Sequence, residues 1–310
     1  MDGVTKTAAQ IFFQNSLHEV IRKLRSAPSG KEDETIEFYI RETKKEVGST
    51  IQSVKVGAIQ KAAYFHMIGY DSSYANFNVV EVMADPSFGS KRIGYMAASA
   101  MFNESTDVIP LVTALLKRDL CSSNQYESGM ALYCIASICN PDLAKDLVVD
   151  VVNLLQHPRT YVRKKAVLSL YKIFLQYPDS LRPTYAKLKD KLEDSNENSD
   201  SDTAVRGAVV CIFCELARRN PANFLGLAVP FFSLLSNIHN NWNLIKVVKV
   251  FGYFVPLEPR LGKKLAEPLA NLIETTSAKS VQYECLLSVA NGMTKVNSLT
   301  KLAGEKLMGF

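Results

Sequence analysis

A helical pattern that returns every 35 to 43 residues constrains this chain more than any other feature. Its clearest copy is residues 158–183, PRTYVRKKAVLSLYKIFLQYPDSLRP. There Val162, Ala166, Leu170, Ile173, Phe174 and Tyr177 recur at spacings of three and four, which puts them on one stripe of an α-helix. Pro158 and Pro178 bracket that helix, because proline removes a backbone donor and clashes with the preceding turn. Comparable openings, an apolar or aromatic residue after a polar turn, stand at Val54, Tyr126, Val162, Val205, Trp242 and Val281, and Lys91 occupies the same place with a charge. Between these inner helices the pattern predicts partner helices near 31–47, 71–84, 106–119, 141–156, 180–192, 221–236 and 258–275. The widest interval holds EDSNENSDSD, residues 193–202, an acidic, serine-rich loop with nothing to bury. Two helices per repeat predict an all-α fold: a HEAT- or armadillo-like α-solenoid, a right-handed superhelix forming one curved rod over residues 1–310.

The solenoid reconciles a chain of 310 residues, 47% hydrophobic, with the absence of any linker that would divide it into two conventional domains. With 36 basic residues against 31 acidic ones, the net charge of +5 permits an acidic partner without demanding one. No apolar run reaches the ~18 residues that span a bilayer, and the N-terminus lacks a signal-peptide core, so a cytoplasmic location is expected. The six cysteines, Cys121, Cys134, Cys139, Cys211, Cys214 and Cys285, sit mostly within apolar helical runs, as reduced packing thiols do. Cys211 and Cys214 are spaced C-x-x-C, but no second pair or suitably spaced histidine accompanies them. His18, His66, His157 and His239 are scattered, and phosphate-loop, dinucleotide and nucleophile-elbow motifs are missing. The expectation is a protein that is not an enzyme and uses no metal and no cofactor.

Residues 4–26 read as an amphipathic helix with Phe13, Leu17, Val20, Ile21 and Leu24 on one stripe. Ser29 and Glu32 have capping-box spacing for the next helix. The first inner helix, residues 51–68, turns Ile51, Val54, Ala58, Ala62, Phe65 and Ile68 inward and Lys55 and Lys61 outward, and Gly69 ends it. Asp71 or Ser72 caps the helix after it. The small residues of KRIGYMAASAMF, from Lys91, imply close helix approach. Asn140-Pro141, Asn220-Pro221 and Glu258-Pro259 are helix starts, and Trp242 is expected as a packing anchor. The terminal run TKLAGEKLMGF is helical in pattern and uncapped, which implies a piece of a longer chain.

Eight collinear segments then say more than periodicity does. MIGYD (67–71), NVVEVMA (78–84), KRIGYMAAS (91–99), YVRKKAVL (161–168), YPDSLRP (177–183), CELARRNP (214–221), NNWNLIKVVKVFG (240–252) and PLEPRLGKKLAEPL (256–269) together resemble the amino-terminal trunk of an adaptin large chain. CELARRNP and PLEPRLGKKL are most similar to the delta class of these chains. The resemblance implies a coat-adaptor role in vesicle-mediated sorting from Golgi and endosomes to lysosome-like organelles, peripheral on those membranes. It implies as partners a small sigma chain, a second large (beta) chain, a medium (mu) chain and a GTPase of the ADP-ribosylation-factor type. It also implies acidic dileucine cargo, for which Arg25 is the residue that matches, and a weak membrane or phosphoinositide contact at Lys55 and Lys61. The basic run Arg159, Arg163, Lys164 and Lys165 reads as a surface that meets other subunits. A coatomer-type large chain shares this architecture, and a HEAT-repeat nuclear-transport or nucleic-acid scaffold remains a further reading. The last predicts a dense basic stripe, which the near-balanced charge opposes, so no nucleic acid is expected as a partner.

Overall fold

The computed structural model describes residues 14–193, 200–238 and 240–308, and all regular structure among them is helical. The chain divides into two compact units, residues 1–181 and 182–310. The first holds α1 (Leu17–Arg25), α2 (Glu32–Val47), α3 (Gln52–Met67), α4 (Asn76–Met83), α5 (Phe88–Met101), α6 (Ile109–Leu120), α7 (Gln125–Ile138), α8 (Pro141–Asn153) and α9 (Thr160–Gln176). The second holds α10 (Leu181–Glu193), which starts at the boundary, α11 (Asp200–Arg219), α12 (Ala228–Asn237), α13 (Asn241–Phe254), α14 (Pro259–Thr275), α15 (Lys279–Gly292) and α16 (Asn297–Leu307). Within the first unit α3 packs on α5, α5 on α7 and α7 on α9; within the second α11 packs on α13 and α13 on α15. These are the predicted inner helices. Each buries one stripe against its neighbours, as a repeat array requires.

Helix α9 follows its pattern closely, with Val162, Ala166, Leu170, Ile173 and Phe174 buried between the two prolines. Helices α4 and α5 approach so closely that a Cβ on Gly94 would lie 2.5 Å from the Met83 nitrogen, which explains the small residues of that segment. Gly69, at φ +100°, turns the chain out of α3, a backbone state that L side chains rarely adopt. Asn140, Asn240 and Glu258 cap α8, α13 and α14 with their side-chain oxygens.

Several details differ from the sequence expectations. Ser29 does not cap α2: Lys31 stands at that position without a side-chain cap, and Glu32 accepts instead from the Gly30 amide at 2.7 Å. The capping box belongs to α1, where Ser16 and Glu19 bond each other's backbone amides. Among the described residues this first helix begins at Leu17, and the earlier part of the predicted helix, Phe13 included, lies outside them. Most of the acidic stretch 193–202 lies outside them too, although Asp200 already opens α11. The partner helices near 71–84 and 221–236 each begin as 3-10 turns, Ser73–Ala75 and Pro221–Leu227. The second follows from Pro230, whose missing donor is tolerated only in the first turn of an α-helix, so α12 starts at Ala228. Trp242 is no packing anchor: it is 80% exposed, because the apolar stripe of Leu244, Val247, Val248 and Phe251 that α13 buries lies on the opposite face of the helix.

Candidate functional site

Helix α1 rests on α2 and α3 through Val20 and Leu24, which join a small core with Tyr39, Ile36, Ile40 and Phe65. Its last turn carries Arg22, Lys23 and Arg25, where positive charge complements the helix C-terminus. Lys23 is engaged, donating to Asn15 Oδ1 at 2.8 Å and lying over the Tyr39 ring. Arg22 and Arg25 are exposed and have no hydrogen-bond or ion-pair partner among the described residues. With His18, Ile21 and Ser26 they line an open depression of about 500 Å³. Two guanidiniums beside an aliphatic side chain suit a ligand with a carboxylate next to an apolar group.

Neither lysine expected on the outward face of α3 is free. Lys55 pairs with Glu81 of α4 at 2.9 Å. Lys61 does not point outward at all: it is buried, paired with Glu46 of α2, and donates to the Asn15 carbonyl at 3.0 Å. Lys61 turns inward because its long side chain, one helical turn from Gly57, reaches the gap where the chain enters α1, and the half-buried Glu46 carboxylate meets it there.

A second buried charge fills the place where Lys91 broke the apolar pattern. Lys91 of α5 lies 3.2 Å from both Asp119 of α6 and Glu127 of α7. Asp119 also accepts from Tyr95 Oη at 2.7 Å and Arg118 Nε at 2.8 Å. Burial pushes the Asp119 carboxyl up, but the hydrogen bonds from Arg118 and Tyr95 and the Lys91 charge outweigh it, and its pKa ends below the ordinary value. Burial and the bond to Asp119 push the Tyr95 phenol strongly up, so it stays a neutral donor. The cluster ties three consecutive helices together. Every member is partnered within the cluster, so it offers no open position to a reactant.

The first unit also exposes aromatic rings. Phe88 of α5, Tyr126 of α7 and Tyr161 of α9 form a row, with ring centroids 6.5 and 5.9 Å apart. Tyr133, Met96 and Leu168 are exposed on the same three helices, and Tyr126 and Tyr133 are each more than half exposed. Lys165 lies over the Tyr133 and Tyr161 rings at 5.6 and 5.9 Å, and Arg92 of α5 and Lys164 and Lys172 of α9 are exposed on the helices that carry the row. Of the basic run named from sequence, Arg163 instead closes the turn before α9, donating to the carbonyls of His157 and Pro158. The row was missed because each ring sits beside, not on, the core stripe of its helix. The recurring aromatic near each helix start, Tyr126 and Tyr161, was the available signal.

In the second unit Glu215 accepts from Lys246 at 2.9 Å and from Arg218 at 3.1 Å, and its pKa is lowered, chiefly by the Lys246 bond. Burial pushes the thiols of Cys134, Cys214 and Cys285 up to about 12, which makes them inert packing groups at neutral pH. No group of three or more metal-ligating side chains occurs among the described residues, and no described helix is long and apolar enough to cross a membrane.

Helical pairs packed in series, each burying one stripe against its neighbours, define a helical-repeat protein. The comparisons with known proteins agree. The Adaptin N terminal region family matches residues 32–310, and the chain belongs to the adaptin family. AP-3 complex subunit delta-1 of Bos taurus is 46% identical over 313 residues, covering 98% of this chain and 25% of the relative. AP-3 complex subunit delta of Dictyostelium discoideum is 46% identical over 298 residues, covering 95% and 25%. The chain thus spans about a quarter of the length of these relatives. A homology model of the full-length AP-3 complex in an intermediate open conformation matches with a TM-score of 0.70 at 34% identity, over 84% of this chain and 45% of that one.

Proposed function

We propose that this chain is the amino-terminal trunk of a delta-type large subunit in an AP-3-like adaptor complex. In this reading it is a non-enzymatic scaffold for vesicle-mediated sorting from Golgi and endosomes to lysosome-like organelles, working on the cytoplasmic face of those membranes. The observation that carries the reading is the exposed row of Phe88, Tyr126 and Tyr161 with its basic border. Contiguous exposed aromatics of this kind are what a protein interface uses as anchors. The small sigma chain is the occupant of this row, the beta and mu chains complete the assembly, and a GTPase of the ADP-ribosylation-factor type recruits it.

Arg25, free and exposed at the end of α1, receives the acidic part of a dileucine signal, and the apolar part lies along Ile21. Phosphoinositide binding is weak, because Lys55 and Lys61 already satisfy Glu81 and Glu46. A free lysine near an anionic surface gives only about 1 kcal/mol in any case. Co-expression with a sigma-type small chain tests the main reading: a stable pair is expected, and Tyr126→Glu with Tyr133→Glu is expected to abolish it with helicity unchanged. No pairing by the unaltered chain would end the reading, and undiminished pairing by the double variant would remove the aromatic row from it. Arg25→Glu in the assembled pair is expected to weaken binding of an acidic dileucine peptide; unaltered affinity counts against that role.

A further inference from the structure

The entry to α1 is held by a polar cluster that neither the core nor the aromatic face accounts for. Gln14 Nε2 donates to the Val54 carbonyl at 2.8 Å and to Glu46 Oε2 at 3.2 Å. The Lys61 ammonium bonds Glu46 and the Asn15 carbonyl, and Asn15 Oδ1 takes a third bond from Lys23 on α1 itself. Gly57 leaves room for this: a Cβ there would lie 3.0 Å from the Gln14 amide nitrogen. The only fully buried residue of α1 is Val20, a small apolar anchor for a helix of 9 residues. So short a helix has little stability of its own and depends on what fixes its ends.

We propose that Glu46 and Lys61 form a latch: bridging α2 and α3, they grip Gln14 and Asn15, fix the start of α1 and thereby set where Arg22 and Arg25 stand. They are positioning residues and touch no ligand. The consequence for cargo rests on the role proposed above for Arg25, whereas the latch itself does not.

The test is amide hydrogen exchange on the full chain, with peptide binding measured on the chain paired with its small subunit. In Lys61→Met, exchange over residues 17–25 is expected to rise about tenfold or more while α5 to α9 keep their protection. The double variant Glu46→Leu with Lys61→Met removes both charges and keeps the volume, so it separates two explanations. If the pair is only a core ion pair, the double variant protects α1 as the unaltered chain does. If it is a latch, α2 and α3 recover and residues 17–25 still exchange fast, because Gln14 has lost its bond to Glu46 and Asn15 its bond from Lys61, and the contacts left to them at Val54 and Lys23 do not hold the helix start alone. Normal protection of α1 in either variant overturns the proposal. Should Lys61→Met disturb the whole first unit, Glu46→Gln, which keeps the shape, decides by the same readout. Fast exchange in α1 together with unchanged peptide affinity for Arg25→Glu would leave the latch standing and dismiss the cargo role of Arg25.

Discussion

At the scale of single residues, the two most informative positions carry the smallest and the largest side chains. Gly94 sits where α4 and α5 nearly touch, 2.5 to 2.9 Å from the Met83 and Val82 backbone for any added Cβ. Backbone cannot yield as a flexible side chain can, so Gly94→Ala is expected to cost about 3 kcal/mol of stability in denaturant unfolding. Trp242→Ala is expected to change stability by less than about 0.5 kcal/mol, since the ring is 80% exposed. Cys121, exposed while Cys134, Cys139, Cys214 and Cys285 are buried, is expected to account for the fast phase of maleimide labelling, which Cys121→Ser removes. The close approach at Gly94 was legible in the run of small residues around it. The exposure of Trp242 was legible too, since at about 100° per residue the stripe of Leu244, Val247, Val248 and Phe251 leaves position 242 on the opposite face; the expectation of an anchor rested on residue type, which does not say what a side chain meets. Lys61 shows the same limit from the other side: sequence spacing gives its position on α3, but only the folded path of residues 14 and 15 supplies what it meets.

At the scale of elements, each helix pair was legible because apolar residues at spacings of three and four recur between proline and asparagine stops. What the pattern could not show was how charge is used between elements. Lys91 looked like a flaw in the repeat, yet with Asp119 and Glu127 it fixes α5, α6 and α7 in register. Removing one partner of a buried ion pair leaves an uncompensated charge, so Asp119→Ala is expected to cost about 3 to 5 kcal/mol. The pH dependence follows from the same geometry. The folded-state pKa of Asp119 lies below its ordinary 3.8, so its stabilisation is complete above the unfolded value and is lost as pH falls through the depressed one. Acid unfolding curves measured from pH 6 downward are therefore expected to lose part of their slope below about pH 4 in Asp119→Ala. An unchanged acid limb would show that the carboxylate is not held in this way.

At the scale of the whole molecule, the net charge of +5 conceals how the charges are sorted in the first unit. The inner helices α3, α5, α7 and α9 carry eight lysines and arginines and one acid, Glu127, while Asp142, Asp146 and Asp150 cluster on the partner helix α8. A count over the sequence averages this away; the alternation of inner and outer helices reveals it. Because Lys91, Lys55 and Lys61 are internally paired, the inner-helix charge left to act on a partner comes from the exposed Arg92, Lys164 and Lys172 on the helices that carry the aromatic row. Rim charges act mainly on the rate of encounter, and buried aromatic anchors on the rate of escape. Lys164→Glu with Lys172→Glu is therefore expected to slow association with the small chain about tenfold at low salt and to change dissociation little. The difference should shrink toward ~0.5 M salt as screening shortens the reach of the charges. Tyr126→Ala is expected to do the reverse, speeding dissociation with little salt dependence. Surface plasmon resonance across a salt series reads both rates, and a charge variant whose association rate matches that of the unaltered chain would show that the basic border plays no part in docking.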